Sequence, residues 1–168
     1  MAPAFKLRRY KMEYKTHINW TKLMIVRDSG RPAVLKHRIS SSFDAYTLVT
    51  KTLSAYFENH DREEFIIIML DGKNRMQAIH SVSVGSLTAS IVHPREVFKM
   101  ALLSNANAII LCHNHPSGDP APSPEDIEIT KRLVAAGDIL GVKVLDHIIV
   151  GDGTSDTGYV SFADKGLL

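Results

Sequence analysis

The sequence predicts a single α/β domain in which a mixed β-sheet is flanked by helices. Three observations carry that expectation. Residues 65–70 are a continuous apolar run and residues 106–112 another short apolar run, the mark of strands covered on both faces. Helical spacing recurs over residues 43–58, 94–104 and 123–140, and serines or prolines suited to a helix start stand at the head of each. Strands and helices alternate without strict βαβ order, with a hairpin among them, which favours a mixed sheet over a purely parallel one.

The composition agrees with that picture. A chain of 168 residues can bury one sizeable core, and 45% hydrophobic against 23% charged residues is ordinary for a globular protein. A net charge of +2 gives no electrostatic case for nucleic acid. Cys112 is the one cysteine, which excludes an internal disulfide and makes a reducing, cytoplasmic setting the expectation. No apolar run approaches the ~18 residues of a membrane span. The basic N-terminus (Lys6, Arg8, Arg9, Lys11, Lys15) lacks a following apolar stretch, so no signal peptide is expected.

Residues 1–38 read as a basic extension, broken at Ser29-Gly30-Arg31-Pro32, with a short strand over 23–26. The domain proper is expected from 39 to 168. Ser41 and Ser42 offer caps for a helix over 43–58, along which Ala45, Leu48, Val49, Leu53 and Tyr56 recur at helical spacing. The strand over 65–70 meets Asp71-Gly72-Lys73-Asn74, a turn into a second strand over 76–84, and a third is expected over 87–92. Pro94 suits the first turn of a helix running to 104. After the strand over 106–112, Ser123-Pro124 opens a helix that Gly141 ends. Strands over 142–150 and 159–162 complete the chain.

The chemistry is concentrated at His113-Asn114-His115, with Ser123 and Asp126 following. Residues two apart on a strand share a face, so His113 and His115 can aim both imidazoles at one point while Asn114 faces away. Three prolines stiffen the intervening loop (Pro116, Pro120, Pro122). It leads to Ser123 as N-cap and Asp126 at the third helical position, where the helix dipole favours an ionised carboxylate. Two imidazoles and one carboxylate leave a fourth tetrahedral position open, the pattern of a catalytic zinc. Taken without the histidines, Ser123 and Asp126 are explained as well or better by a capping box. A contiguous His-Asn-His is weak ground for an HNH nuclease, whose motif residues are scattered over a ββα-metal unit. A zinc deaminase would need a Pro-Cys-x-x-Cys signature, which one cysteine cannot supply.

These residues resemble the JAMM (MPN-plus) metalloproteases, whose signature is His-x-His, seven residues, Ser, two residues, Asp. The segments His113 to Pro120 and Pro122 to Asp126 look like the bacterial RadC branch, as do His93-Pro94-Arg95-Glu96-Val97-Phe98, Asn105 to Leu111 and Leu145-Asp146-His147-Ile148-Ile149. The resemblance runs from about Ile39 to the C-terminus. It implies a JAB/MPN-like domain: a mixed, curved sheet flanked by helices, with cytidine-deaminase-like layering. It also implies zinc held by His113, His115 and Asp126, with Ser123 stabilising an oxyanion. The family's upstream glutamate falls at Glu63, with Glu64 as the neighbouring alternative; strand alternation allows only one to face the metal. Longer RadC proteins carry an N-terminal helix-hairpin-helix associated with DNA, and residues 1–38 show no such pattern, so nucleic acid is weakly supported as a partner despite the repair label of the family.

His147 beside Asp146 is a candidate for a group behind the metal ligands, against an equally good reading as a structural histidine. Cys112 should face away from both histidines and belong to the core. His17, His37, His60, His80 and His93 lack ligand spacing. Lys131 and Arg132 fit a solvated helix face, and Trp20 an anchor for the extension. The expected function is zinc-dependent cleavage of an amide or isopeptide bond in a protein or peptide, with no membrane involved. The alternatives are a non-catalytic MPN-type interaction module and a nucleic-acid-associated accessory factor. Substrate and oligomeric state are not encoded in any motif.

Overall fold

A computed structural model describes residues 38–52, 62–85, 92–151 and 158–168. The elements are α1 (Ser42–Thr47), continued by a π-helical turn (Leu48–Thr52), β1 (Glu63–Leu70), β2 (Met76–Gly85), α2 (Pro94–Leu103), β3 (Ala108–Asn114), α3 (Pro124–Leu140), β4 (Lys143–Val150), β5 (Tyr159–Ser161) and α4 (Phe162–Lys165). They build one mixed sheet in the order β2-β1-β3-β4-β5. The β3–β4 pair is parallel and the other pairs are antiparallel. A parallel pair needs a crossover, and α3 supplies it; the β1–β2 hairpin needs only a turn.

Both faces of the sheet are covered, which is why residues 65–70 of β1 and 108–112 of β3 are unbroken apolar runs. On one face Ile66, Ile68, Leu70, Ile110, Cys112 and Ile148 pack with Ala45, Leu48 and Val49 of the first helical segment. On the other, Phe65, Ile67, Met69, Ile109 and Leu111 pack with Val97, Phe98 and Ala101 of α2 and Ile129 and Leu133 of α3. Strand β2, at the edge, is mostly half-buried.

Local chemistry sets the ends. Ser41 caps α1, its Oγ accepting from the Asp44 amide at 3.1 Å. His93 caps α2 through its side chain, with Pro94 following. Ser123 caps α3 and Gly141, left-handed at φ 71°, ends it as expected.

Several expectations are corrected. The first helix widens at Leu48, where the Thr50 hydroxyl donates to the Tyr46 carbonyl at 2.9 Å, a side-chain bond that competes with regular helical pairing. The strand expected from 106 starts at Ala108. Asn105 is left-handed at φ 53° and the Ala106 amide reaches back to the Ala101 carbonyl at 2.9 Å, so residues 104–106 finish α2 instead. The last strand stops at Ser161, and Phe162 opens α4. Ser161 caps that helix and Gly166 closes it at φ 67°. The remainder of the first helix beyond 52, residues 87–91 of the strand expected to end at 92, and everything expected of residues 1–37, including Trp20, lie outside the described residues. Among the described residues no helix is long and apolar enough to cross a membrane.

Gly137 lets α3 lie close to the segment that follows it. A Cβ there would stand 2.5 Å from the Val142 carbonyl oxygen and 3.3 Å from Cζ of Phe98. Glycine to alanine inside a helix ordinarily gains about 1 kcal/mol. Here the obstacle is backbone, and overpacking of this kind costs about 1–3 kcal/mol. Gly137→Ala should therefore lower the stability measured by urea unfolding; a stability equal to or above that of the parent would mean the Val142 segment yields freely.

Candidate metal centre

The sheet brings the sequence-marked residues to one end. His113 is the penultimate residue of β3, fully buried, with its ring stacked on Phe65 of β1 at 5.8 Å and 11°. His115 lies just past the strand but stays in register, because its amide donates to the Val150 carbonyl at 3.0 Å. Its Nδ1 lies 2.7 Å from the carbonyl oxygen of Asp119. A carbonyl can only accept, so Nδ1 carries the proton and Nε2 is the nitrogen turned inward. The loop that supplies this carbonyl is held by its own turn, with Asp119 Oδ1 accepting from the Ala121 amide at 2.9 Å.

Asp126 arrives from the first turn of α3. Its Oδ2 accepts from the Ser123 amide at 2.8 Å and from the Ser123 hydroxyl at 2.6 Å, while Ser123 Oγ accepts from the Asp126 amide at 3.1 Å. The capping box and the site are thus one arrangement, and the two readings of Ser123 and Asp126 do not compete.

The Nε2 atoms of His113 and His115 are 3.0 Å apart; Asp126 Oδ1 lies 3.2 Å from the first and Oδ2 3.4 Å from the second. These three side chains form a group able to hold a metal ion. Donors bound at about 2.0–2.1 Å around a tetrahedral ion stand about 3.3 Å from one another. The two imidazole nitrogens stand near that spacing and each meets one Asp126 oxygen at about it, so the residues present fit a cation of that size.

The electrostatics agree. Burial raises the Asp126 carboxyl, but the imidazoles of His113 and His115 beside it and the bond from the Ser123 hydroxyl outweigh it and hold the group well below the usual carboxylate range. Burial lowers His113, whereas the bond to Asp126 leads in raising His115. Asp126 is therefore ionised and His113 neutral at neutral pH, the forms a metal requires.

The two glutamates separate as strand alternation demands. Glu63 lines an open cleft of about 580 Å³ with His115, Ser123, Glu125 and Asp126. Glu64 points to the other side, where its Oε1 accepts from the Ser81 hydroxyl of β2 at 2.6 Å. Asn114 turns away from the histidines but is not idle. Its Oδ1 accepts from the Glu64 amide at 2.8 Å and its Nδ2 donates to the Arg62 carbonyl at 3.0 Å, so one carboxamide grips the backbone on both sides of Glu63. Spacing alone gave no sign of this, since it requires knowing that β1 and β3 pair antiparallel with Phe65 opposite His113.

His147 of β4 stands directly behind the candidate ligands, its Nε2 2.8 Å from Nδ1 of His113. Thr130 of α3, which no motif marked, touches it on the other side. Asp146 does not serve His147's ring. Its carboxylate accepts from the Ser161 hydroxyl at 2.7 Å and the Ala163 amide at 3.0 Å, tying α4 to β4. Cys112 sits in the opposite core as expected, and burial pushes its thiol far above the ordinary range. His93 is a helix cap, His80 lies partly exposed on β2, and Lys131 and Arg132 are exposed. His17, His37 and His60 fall outside the described residues.

Similarity to known proteins points the same way. The chain is 57% identical over 112 residues to a UPF0758 protein of Geotalea uraniireducens, covering 67% of this chain and 47% of that protein. It is 59% identical over 105 residues to a UPF0758 protein of Caldanaerobacter subterraneus, covering 62% and 43%. A UPF0758 protein of Methanosarcina mazei is 50% identical over 133 residues, covering 79% and 55%. The chain spans about half the length of these curated relatives. Residues 39–167 match the family described as the RadC-like JAB domain, and with that match covering most of the sequence and its fold and histidine–aspartate cluster in agreement, the chain belongs to the RadC-like JAB family.

Proposed function

We propose that the chain is a zinc-dependent hydrolase of the JAMM type that cleaves an amide or isopeptide bond in a protein or peptide, and that it works in the cytoplasm. The observation that carries the reading is the convergence of His113, His115 and Asp126 at tetrahedral spacing beside an open cleft that also holds Glu63. His113, His115 and Asp126 would hold the ion. Zinc, when bound, supplies Lewis acidity, lowering the pKa of water to about 7 and polarising a carbonyl.

The chain's own residues do the rest. Glu63 takes a proton from the attacking water and returns it to the leaving nitrogen, the two halves of general acid–base catalysis. The Ser123 hydroxyl, which donates to Asp126 Oδ2 in the resting arrangement, rotates to donate to the oxyanion as charge develops there. Asn114 holds the backbone at Arg62 and Glu64 and so aims Glu63 at the cleft. His147 supports the ring of His113.

Two experiments test this. Metal analysis of protein purified without added metal should find one zinc per chain, and none after Asp126→Ala. Glu63→Gln should keep its zinc and lose hydrolysis of a fluorogenic lysine-linked isopeptide by at least ~100-fold, as expected on removal of a general base, while Glu64→Gln stays active. Retained hydrolysis in Glu63→Gln would remove the proposed base. Stoichiometric zinc with no hydrolysis in the parent would favour a non-catalytic interaction module.

Asn114→Ala leaves the Glu64 amide and the Arg62 carbonyl without their partner. It should lower stability by about 1–3 kcal/mol and reduce kcat more than it raises KM, with zinc content unchanged. Equal loss of zinc and activity would instead assign Asn114 to holding β3, and with it the ligands.

A further inference from the structure

The proton positions behind the ligands can be traced from one hydroxyl. Thr130 Oγ1 lies 2.6 Å from the carbonyl oxygen of Asp126, one helical turn earlier on α3. A carbonyl has no proton to give, so at this distance the hydroxyl proton lies between the two oxygens. Thr130 has no second proton. Toward Nδ1 of His147, also 2.6 Å away, it can only accept. His147 therefore carries its proton on Nδ1.

The consequence passes through the ring. His147 is fully buried between Phe65 and Phe162, and its polar contacts are Thr130 and His113, so it is held as a neutral imidazole whose Nε2 is an acceptor. Nδ1 of His113, 2.8 Å away, must then be the donor. Its proton being on Nδ1, the Nε2 of His113 faces His115 and Asp126 as a bare lone pair. Were the hydroxyl reversed, every proton in the series would shift and His113 Nε2–H would point into the site.

We propose that Thr130 is a positioning residue of this centre: through His147 it selects the His113 tautomer that offers Nε2 to a metal ion. This rests on the metal-centre reading above but not on hydrolysis. A purely structural threonine would satisfy its own helix turn and leave the imidazoles indifferent to its hydroxyl.

The test uses the full chain, first metal-free. Long-range proton–nitrogen NMR of the imidazoles should show His147 and His113 both protonated on Nδ1 in the parent and in Thr130→Ser. In Thr130→Val that pattern should give way to mixed tautomers. Zinc affinity, measured by competition with a chromophoric chelator, should fall about 10–100-fold in Thr130→Val, the usual cost of losing such a supporting partner, and be restored by Thr130→Ser. His147 protonated on Nε2 in the parent would overturn the proposal without any variant being needed, even if Thr130→Val does not fold. Unchanged tautomers and affinity in a folded Thr130→Val would overturn it equally. A parent chain that binds no zinc would overturn the metal centre itself, a result distinct from either of these.

Discussion

The carboxylate of Asp126 is committed twice, and the arrangement of the centre follows from that double commitment. One oxygen closes the capping box at the head of α3, and the same group faces the two imidazoles at the end of β3. A helix start leaves amide groups that need an acceptor. Here the acceptor chosen for that local need also brings negative charge to the histidines. Helix position and site geometry are consequently coupled: α3 cannot shift along its axis without drawing the carboxylate away from the imidazoles.

The sheet gives that coupling a fixed reference. His113 is held by its neighbours on both sides, β1 and β4, in the middle of a five-stranded sheet covered on both faces. Supporting groups come from different elements: Asn114 of β3 reaches to the start of β1, His147 comes from β4, and Thr130 from α3. Side chains on rigid elements, tied to one another by buried hydrogen bonds, hold geometry better than the same groups on a loop. Of the three candidate ligands His115 alone lies outside regular structure, and the Val150 and Asp119 carbonyls compensate by fixing its amide and its ring.

Much of this was legible in the chain. The buried strands announced themselves as apolar runs, and α3 carried its own start and stop in Ser123, Pro124 and Gly141. The ligand trio was readable because strand alternation and helix capping are local rules. Glu63 came from the register of the family resemblance with Glu64 left open, and alternation said only that one of the two could face the cleft, the one that Glu63 lines. What sequence could not show depends on contacts between distant segments. Asn114 looked like the residue that merely faces away, and its grip on residues 62 and 64 exists only through strand pairing. Asp146 adjoins His147 in the chain, yet its carboxylate accepts from Ser161, Ala163 and the His147 amide and not from the ring. Helix α4 could have been found, since Ser161 followed by Asp164 and Gly166 is a start and a stop, but the apolar Tyr159, Val160 and Phe162 suggested that the strand went on. Thr130, four residues after Asp126, was hidden because a threonine bonding back along its own helix is common and says nothing of what meets its lone pair.

The closeness in sequence of the three candidate ligands has a thermodynamic consequence. All lie between His113 and Asp126, so an ion joining them closes one short, proline-stiffened loop, while both apolar cores are complete without it. The entropy of closing a loop grows only with the logarithm of its length, and a stiff loop has little to lose. An ion held there would thus be separated from assembly of the domain, joining a core already complete. Any ion bound to the folded chain alone would add stability by mass action as its free concentration exceeds its dissociation constant.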